Sequence, residues 1–128
     1  MKRKIAVIED NPDNMMLMEA LLADQHTLIP IETGHEALRY VSQHKPDLIL
    51  LDISLPDVSG VDVFLEMKKN PALNLIPIVA LTAHVMVGDR EKYLALGFSD
   101  YISKPIEDGD VFVAKIDSLM ERGSHVIE

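Results

Sequence analysis

The chain has 128 residues, 48% of them hydrophobic and 26% charged, which suits one domain with one core and leaves no room for a second. It has no cysteine, which excludes disulfides and thiolate metal sites and fits a reducing compartment. With 12 basic and 21 acidic residues the formal charge is −9, and the basic residues are scattered, so nucleic acid and anionic membrane are poor partners.

The start, Met1-Lys2-Arg3-Lys4, is positive like that of a signal peptide. The apolar run after it stops at Glu9, far short of a signal core or a membrane span, so a cytoplasmic protein is expected. Lys4 to Ile8 reads as a short buried strand. Asn11-Pro12-Asp13-Asn14 supplies helix-start chemistry for a first helix carrying Leu17, Met18, Leu21 and Leu22. Thr27 to Ile31 is a second strand, and after Gly34 the segment His35 to His44 has Ala37, Leu38 and Val41 at helical spacing. Leu48 to Asp52 is a continuous apolar strand of the kind covered on both faces in a parallel sheet. A loop with Pro56 and Gly60 leads into a third helix with Val61, Phe64, Leu65 and Met67, which Asn70-Pro71 helps to end. Ile76 to Thr82 is the fourth strand, and Gly88 to Leu96 a helix closed by Gly97. Asp100 to Ser103 is the fifth strand and Asp108 to Glu121 the last helix.

Strands alternating with helices predict a doubly wound α/β sandwich with right-handed crossovers. For five strands the flavodoxin-like parallel order 2-1-3-4-5 is expected. It makes the first and third strands neighbours and gathers Glu9, Asp10 and Asp52 at the crevice outside their carboxyl ends. Lys104 reaches the same edge from the fifth strand, beyond Thr82 on the fourth. A hard ion such as Mg²⁺ (or Mn²⁺) takes carboxylate, carbonyl and water oxygens. Asp10 and Asp52 suit direct ligation, Glu9 ligation through water, and a backbone carbonyl near Ser54 can complete the set. Asp52 either holds metal only or attacks phosphorus to become an aspartyl phosphate. An ammonium at Lys104 can neutralise the carboxylates at rest and pair with phosphoryl oxygen after transfer, with the Thr82 hydroxyl as a second donor.

Glu9-Asp10-Asn11, Asp47 to Asp52, Leu55-Pro56-Asp57-Val58-Ser59-Gly60, Leu81-Thr82-Ala83 and Tyr101-Ile102-Ser103-Lys104-Pro105-Ile106 together resemble a response-regulator receiver domain of two-component signalling. The match is ordered and spans almost the whole chain, and it is nearest to stand-alone receivers of the cell-division and cell-fate type. The resemblance implies one receiver domain over 1–128, with a core of about 3–121, a short tail and no output domain. It implies that Asp52 accepts phosphate from a histidine kinase or phosphotransfer protein, that Glu9 and Asp10 form the acidic metal pocket, and that Lys104 contacts the phosphoryl group. Thr82 and Tyr101 match the switch pair: Thr82 moves toward the phosphate, the Tyr101 ring turns into the vacated space, and the face of the fourth helix, fifth strand and fifth helix changes to control a downstream protein. A cis bond before Pro105 and a monomer or weak dimer are also expected.

The rival is a small Mg²⁺-dependent phosphohydrolase with an aspartyl-phosphate intermediate. Haloacid-dehalogenase-type enzymes place an acid-base Asp two residues after the nucleophile, where this chain has Ser54. A flavin or nucleotide module would need a phosphate-cradling turn after the first strand, where Glu9-Asp10-Asn11-Pro12 is acidic. Ser54 and His84 are candidates to set phosphate lifetime. Met15, Met16 and Met18 read mostly as core filler, with one or two available to a phosphodonor. His26, His35, His44 and His125 show no ligand spacing and are expected at the surface, while Asp13, Asp57 and Asp62 read as turn or helix-start acids.

Overall fold

Strand-length runs of four or five residues alternate with helix-length segments, and the computed structural model, which describes residues 3–83 and 86–125, turns each into one element. In order these are β1 (Lys4–Ile8), α1 (Pro12–Leu22), β2 (Thr27–Ile31), α2 (Gly34–His44), β3 (Leu48–Asp52), α3 (Gly60–Lys69), β4 (Ile78–Thr82), α4 (Asp89–Leu96), β5 (Asp100–Ser103) and α5 (Gly109–His125). All the strand pairs are parallel and the order is β2-β1-β3-β4-β5, as expected. The edge position of β2 explains how it tolerates Pro30, which has no N–H to give to a second neighbour.

Alternation along the strands divides the core. Ala6, Ile8, Ile49, Leu51, Ile78 and Ala80 face the layer of α2 and α3, where Val41, Val63, Phe64 and Met67 cover them. Ile5, Val7, Leu48, Leu50, Val79 and Leu81 face α1 and α5, under Met15, Met18, Leu22, Phe112 and Ile116. β3 and β4 are buried at every position, the burial a central parallel strand requires.

The boundaries differ from expectation where local chemistry decides them. β4 begins at Ile78 rather than Ile76, because Pro77 cannot donate to a ladder. α2 begins at Gly34, with Thr33 as the cap whose hydroxyl accepts from the Glu36 N–H. Gly88 caps α4 instead of opening it, with φ of 88°, and α5 runs past Glu121 to His125. On α1 the stripe facing the sheet is Met15, Met18 and Leu22, which leaves Met16 and Leu17 exposed. On α3 it is Val63, Phe64 and Met67, which leaves Leu65 exposed. None of the helices among the described residues is long and apolar enough to cross a membrane.

Candidate functional site at the carboxyl edge of the sheet

β1 and β3 pair with Ile8 opposite Leu51, so the residues that follow them emerge side by side. Glu9 still belongs to the sheet, its N–H donating to the Ile31 carbonyl at 3.0 Å, and the Ile53 N–H donates to the Leu81 carbonyl at 2.9 Å. The side chains of Glu9 and Asp52 are therefore set by backbone pairing and are buried, while Asp10 points to the exposed mouth. One carboxylate oxygen from each of the three lies within 4.8 Å of the others. Lys104 crosses to them from the end of β5. Its N–H donates to the Thr82 carbonyl at 2.7 Å, its bond to Pro105 is cis, and its ammonium donates to Glu9 Oε1 at 2.8 Å and Asp52 Oδ2 at 3.2 Å.

Burial pushes the Glu9 carboxyl above its usual range; the Lys104 ammonium opposes that shift and the neighbouring Asp52 adds to it. Burial alone would lower Lys104, but the hydrogen bond to Glu9 and the charge of Asp52 outweigh it and hold the ammonium above the usual lysine value. The remaining oxygens are allocated: Glu9 Oε2 accepts from the Asn11 N–H at 3.2 Å and Asp52 Oδ1 from the Ser54 N–H at 2.9 Å. Both oxygens of Glu9 and both of Asp52 are thus engaged, while Asp10 is exposed at the mouth. Three carboxylates against one ammonium is an all-oxygen, net-anionic set at a solvent-open edge, and that donor chemistry fits a hard divalent ion.

Thr82, at the end of β4, is buried, and so is the ring of Tyr101 one strand away. The ring is thus already sheltered from solvent in this arrangement. Its hydroxyl is out of contact with water, and its pKa is raised by that burial first and then by the charge of Asp89.

The amino-acid sequence matches the response regulator receiver domain over residues 5–116. The chain belongs to the response regulator receiver family. Over 107 residues the receiver is 43% identical to the polar-differentiation response regulator DivK of Brucella anthropi, covering 83% of this chain and 87% of DivK. It is 41% identical over 106 residues to the signal transduction histidine-protein kinase BarA of Escherichia coli K12, covering 81% of this chain but only 11% of BarA. Among solved structures, the receiver domain of the sensor histidine kinase PA1611 from Pseudomonas aeruginosa PAO1, described with a magnesium ion coordinated in its active site cleft, superposes with a TM-score of 0.79. That pair is 31% identical, covering 95% of this chain and 97% of the other.

Other residues singled out in the sequence lie elsewhere in the receiver. His84 falls outside the described residues. His35 and His44 are exposed, but His26 is not: it is buried, with Nε2 2.8 Å from Asp117 Oδ1 on α5. Nothing in the local pattern around His26 marks a partner so far along the chain. Asp13 and Asp62 sit in the first turns of α1 and α3. Asp57 serves another helix, accepting the Gly34 and His35 N–H groups at 3.1 and 2.9 Å and so completing the start of α2. Two further residues were missed. Asp100 is buried against Arg90 and Lys115, and Gly60 lies so close to the end of β3 that a Cβ would sit 2.4 Å from the Asp52 carbonyl oxygen. An acid inside an apolar strand and a glycine at a helix start were the available signals.

Proposed function

We propose that this receiver is a phosphorylation switch in which Asp52 takes a phosphoryl group from the phosphohistidine of a histidine kinase or phosphotransfer protein, and the α4, β5 and α5 face then controls a partner protein. The supporting observation is the Lys104 ammonium spanning Glu9 and Asp52 at 2.8 and 3.2 Å beside Asp10. A carboxylate needs no general base. An Asp52 oxygen attacks phosphorus, the new O–P bond forms as the P–N bond breaks, and the electron pair leaves with the imidazole. Lys104, already within reach of Asp52, passes from carboxylate to phosphoryl oxygen, and Thr82 supplies a hydroxyl donor from the neighbouring strand end. Tyr101 then follows Thr82.

Asp10, Asp52 and the Ser54 carbonyl would hold Mg²⁺ (or Mn²⁺), with Glu9 acting through water. Bound there, the ion offsets repulsion between Asp52 and the incoming phosphoryl group. The magnesium described in the PA1611 receiver supports this assignment. In this reading the receiver acts as a DivK-like regulator in the cytoplasm, as a monomer or weak dimer. The phosphohydrolase reading lacks its second acid, since position 54 is Ser54, whose side chain is exposed and suited instead to influence phosphate lifetime together with His84.

The test is incubation with a phosphohistidine donor and Mg²⁺. An acid-stable, base-labile label on the wild type and none on Asp52→Asn is the expected result. A label that persists in Asp52→Asn removes Asp52 as acceptor, and rapid turnover of simple phosphomonoesters would favour the hydrolase.

A further inference from the structure

α4 is the least anchored helix of the receiver. None of its eight residues is buried, and its cap, Gly88, has no side chain to offer. Arg90 and Tyr93 both contact Tyr101, and the Asp89 carboxylate acts on its hydroxyl as well. Arg90 Nη1 lies 3.0 Å from Asp100 Oδ1 and 3.3 Å from the carbonyl oxygen of Tyr101. The same Asp100 oxygen accepts the Tyr101 N–H at 2.7 Å, and Oδ2 lies 3.6 Å from the Lys115 ammonium of α5. The ring of Tyr93 stacks on that of Tyr101, with centroids 5.4 Å apart and planes 13° apart. The Tyr93 ring also meets Phe98 in a T-shaped contact with centroids 5.7 Å apart, and Phe98 in turn stacks on Phe64 of α3 with centroids 3.9 Å apart.

We propose that Arg90 and Tyr93 form a two-point latch by which α4 holds Tyr101 in its buried position, so that the helix and the ring move as one unit. Only the identification of Tyr101 as the switch aromatic rests on the function proposed above; the latch itself rests on these contacts. An ion pair on an open surface contributes little, but Asp100 is nearly withdrawn from water and would be left short of a partner if Arg90 departed. The ring cannot leave alone without stripping Tyr93 of its stacking partner. Conversely, α4 has no buried side chain to hold it once the ring goes. Moving both together keeps the Tyr93–Tyr101 stack, which moving either alone would break.

Tyrosine nitration mapped by mass spectrometry tests this, with partly exposed Tyr40 on α2 as the internal control. In the wild type Tyr101 reacts slowest of the three tyrosines. Arg90→Gln and Tyr93→Leu are each expected to raise Tyr101 nitration several-fold with Tyr40 unchanged, and Arg90→Lys to give an intermediate rate. If Tyr101 stays as protected in Arg90→Gln and Tyr93→Leu as in the wild type, the latch is wrong. A parallel rise at Tyr40 would also overturn it, because it reports global loosening. Beryllofluoride with Mg²⁺ separates the two levels: failure to change Tyr101 reactivity in the wild type counts against the switch assignment, whereas protection surviving the α4 substitutions counts against the latch.

Discussion

Lys104→Met is the most informative perturbation of the site. The methionine keeps an unbranched stem of similar length and removes the ammonium that lies 2.8 Å from Glu9 and 3.2 Å from Asp52. The side chains involved are 10%, 0% and 3% exposed, so the two carboxylates are left facing each other with little water to screen them. Removing one partner of a buried ion pair costs about 3–5 kcal/mol, and the open mouth at Asp10 argues for about 3. Two unit charges about 4 Å apart at an effective dielectric of about 20 interact by about 4 kcal/mol, which is the same scale. A domain of this size is stable by about 5–15 kcal/mol, so the variant stays folded. The loss is pH-dependent. Burial already raises Glu9 above its unfolded value and Lys104 opposes that shift, so without Lys104 it rises further. The folded variant then binds more protons than the unfolded chain, and its stability falls as pH rises from the ordinary glutamate range through the raised value. At the proposed cation site, Mg²⁺ at about 100 times its Kd should return about 2.7 kcal/mol by binding only the folded form. The chain has no tryptophan, so urea unfolding followed by far-ultraviolet circular dichroism at about pH 5 and about pH 8, with and without Mg²⁺, is the assay. A deficit equal at both pH values and untouched by Mg²⁺ would refute the charge argument and assign the loss to the stem.

A Cβ on Gly60 would lie 2.4 Å from the Asp52 carbonyl oxygen and 2.7 Å from Ile53 Cα, so Gly60→Ala forces backbone apart. It should cost about 1–3 kcal/mol in urea midpoint analysis and slow phosphoryl acceptance, since the shifted backbone carries Asp52, the proposed acceptor. Asp57→Ala removes the acceptor for two α2 N–H groups, and faster amide hydrogen exchange at Gly34 and His35 is the expected signature. Burial pulls Asp57 upward, but the His35 and Gly34 N–H groups lower it below its ordinary 3.8, so its contribution is present above that pH and lost as pH falls through the lowered value. Phe64 is fully buried and lies 3.9 Å from Phe98, so Phe64→Ala should cost about 3–5 kcal/mol, read from the same urea curves.

The site was readable because each of its residues follows an apolar strand. Ile5 to Ile8, Leu48 to Leu51 and Tyr101 to Ser103 end in Glu9-Asp10, Asp52 and Lys104, and a parallel sheet brings strand ends of one polarity to one edge. The less readable features depend on partners far apart in the chain. Periodicity reports which face of a segment is apolar, but not that His26 meets Asp117, 91 residues on, or that Asp57 completes a helix 23 residues earlier. Asp100, at the head of a short strand, gave no sign that Arg90 and Lys115 converge on it from two helices. On α1 a run of Met15, Met16, Leu17 and Met18 offers several adjacent apolar stripes, and only contact with β1 and β3 selects the one through Met15, Met18 and Leu22.

The central claim is that Asp52 itself receives the phosphoryl group. Borohydride reduction after incubation with a phosphodonor and Mg²⁺ converts an aspartyl phosphate to homoserine, and peptide sequencing then locates it. Homoserine at position 52, dependent on both donor and Mg²⁺, is the predicted result. An unreduced Asp52 with homoserine at Asp10, or with the label on another residue type, would contradict the account.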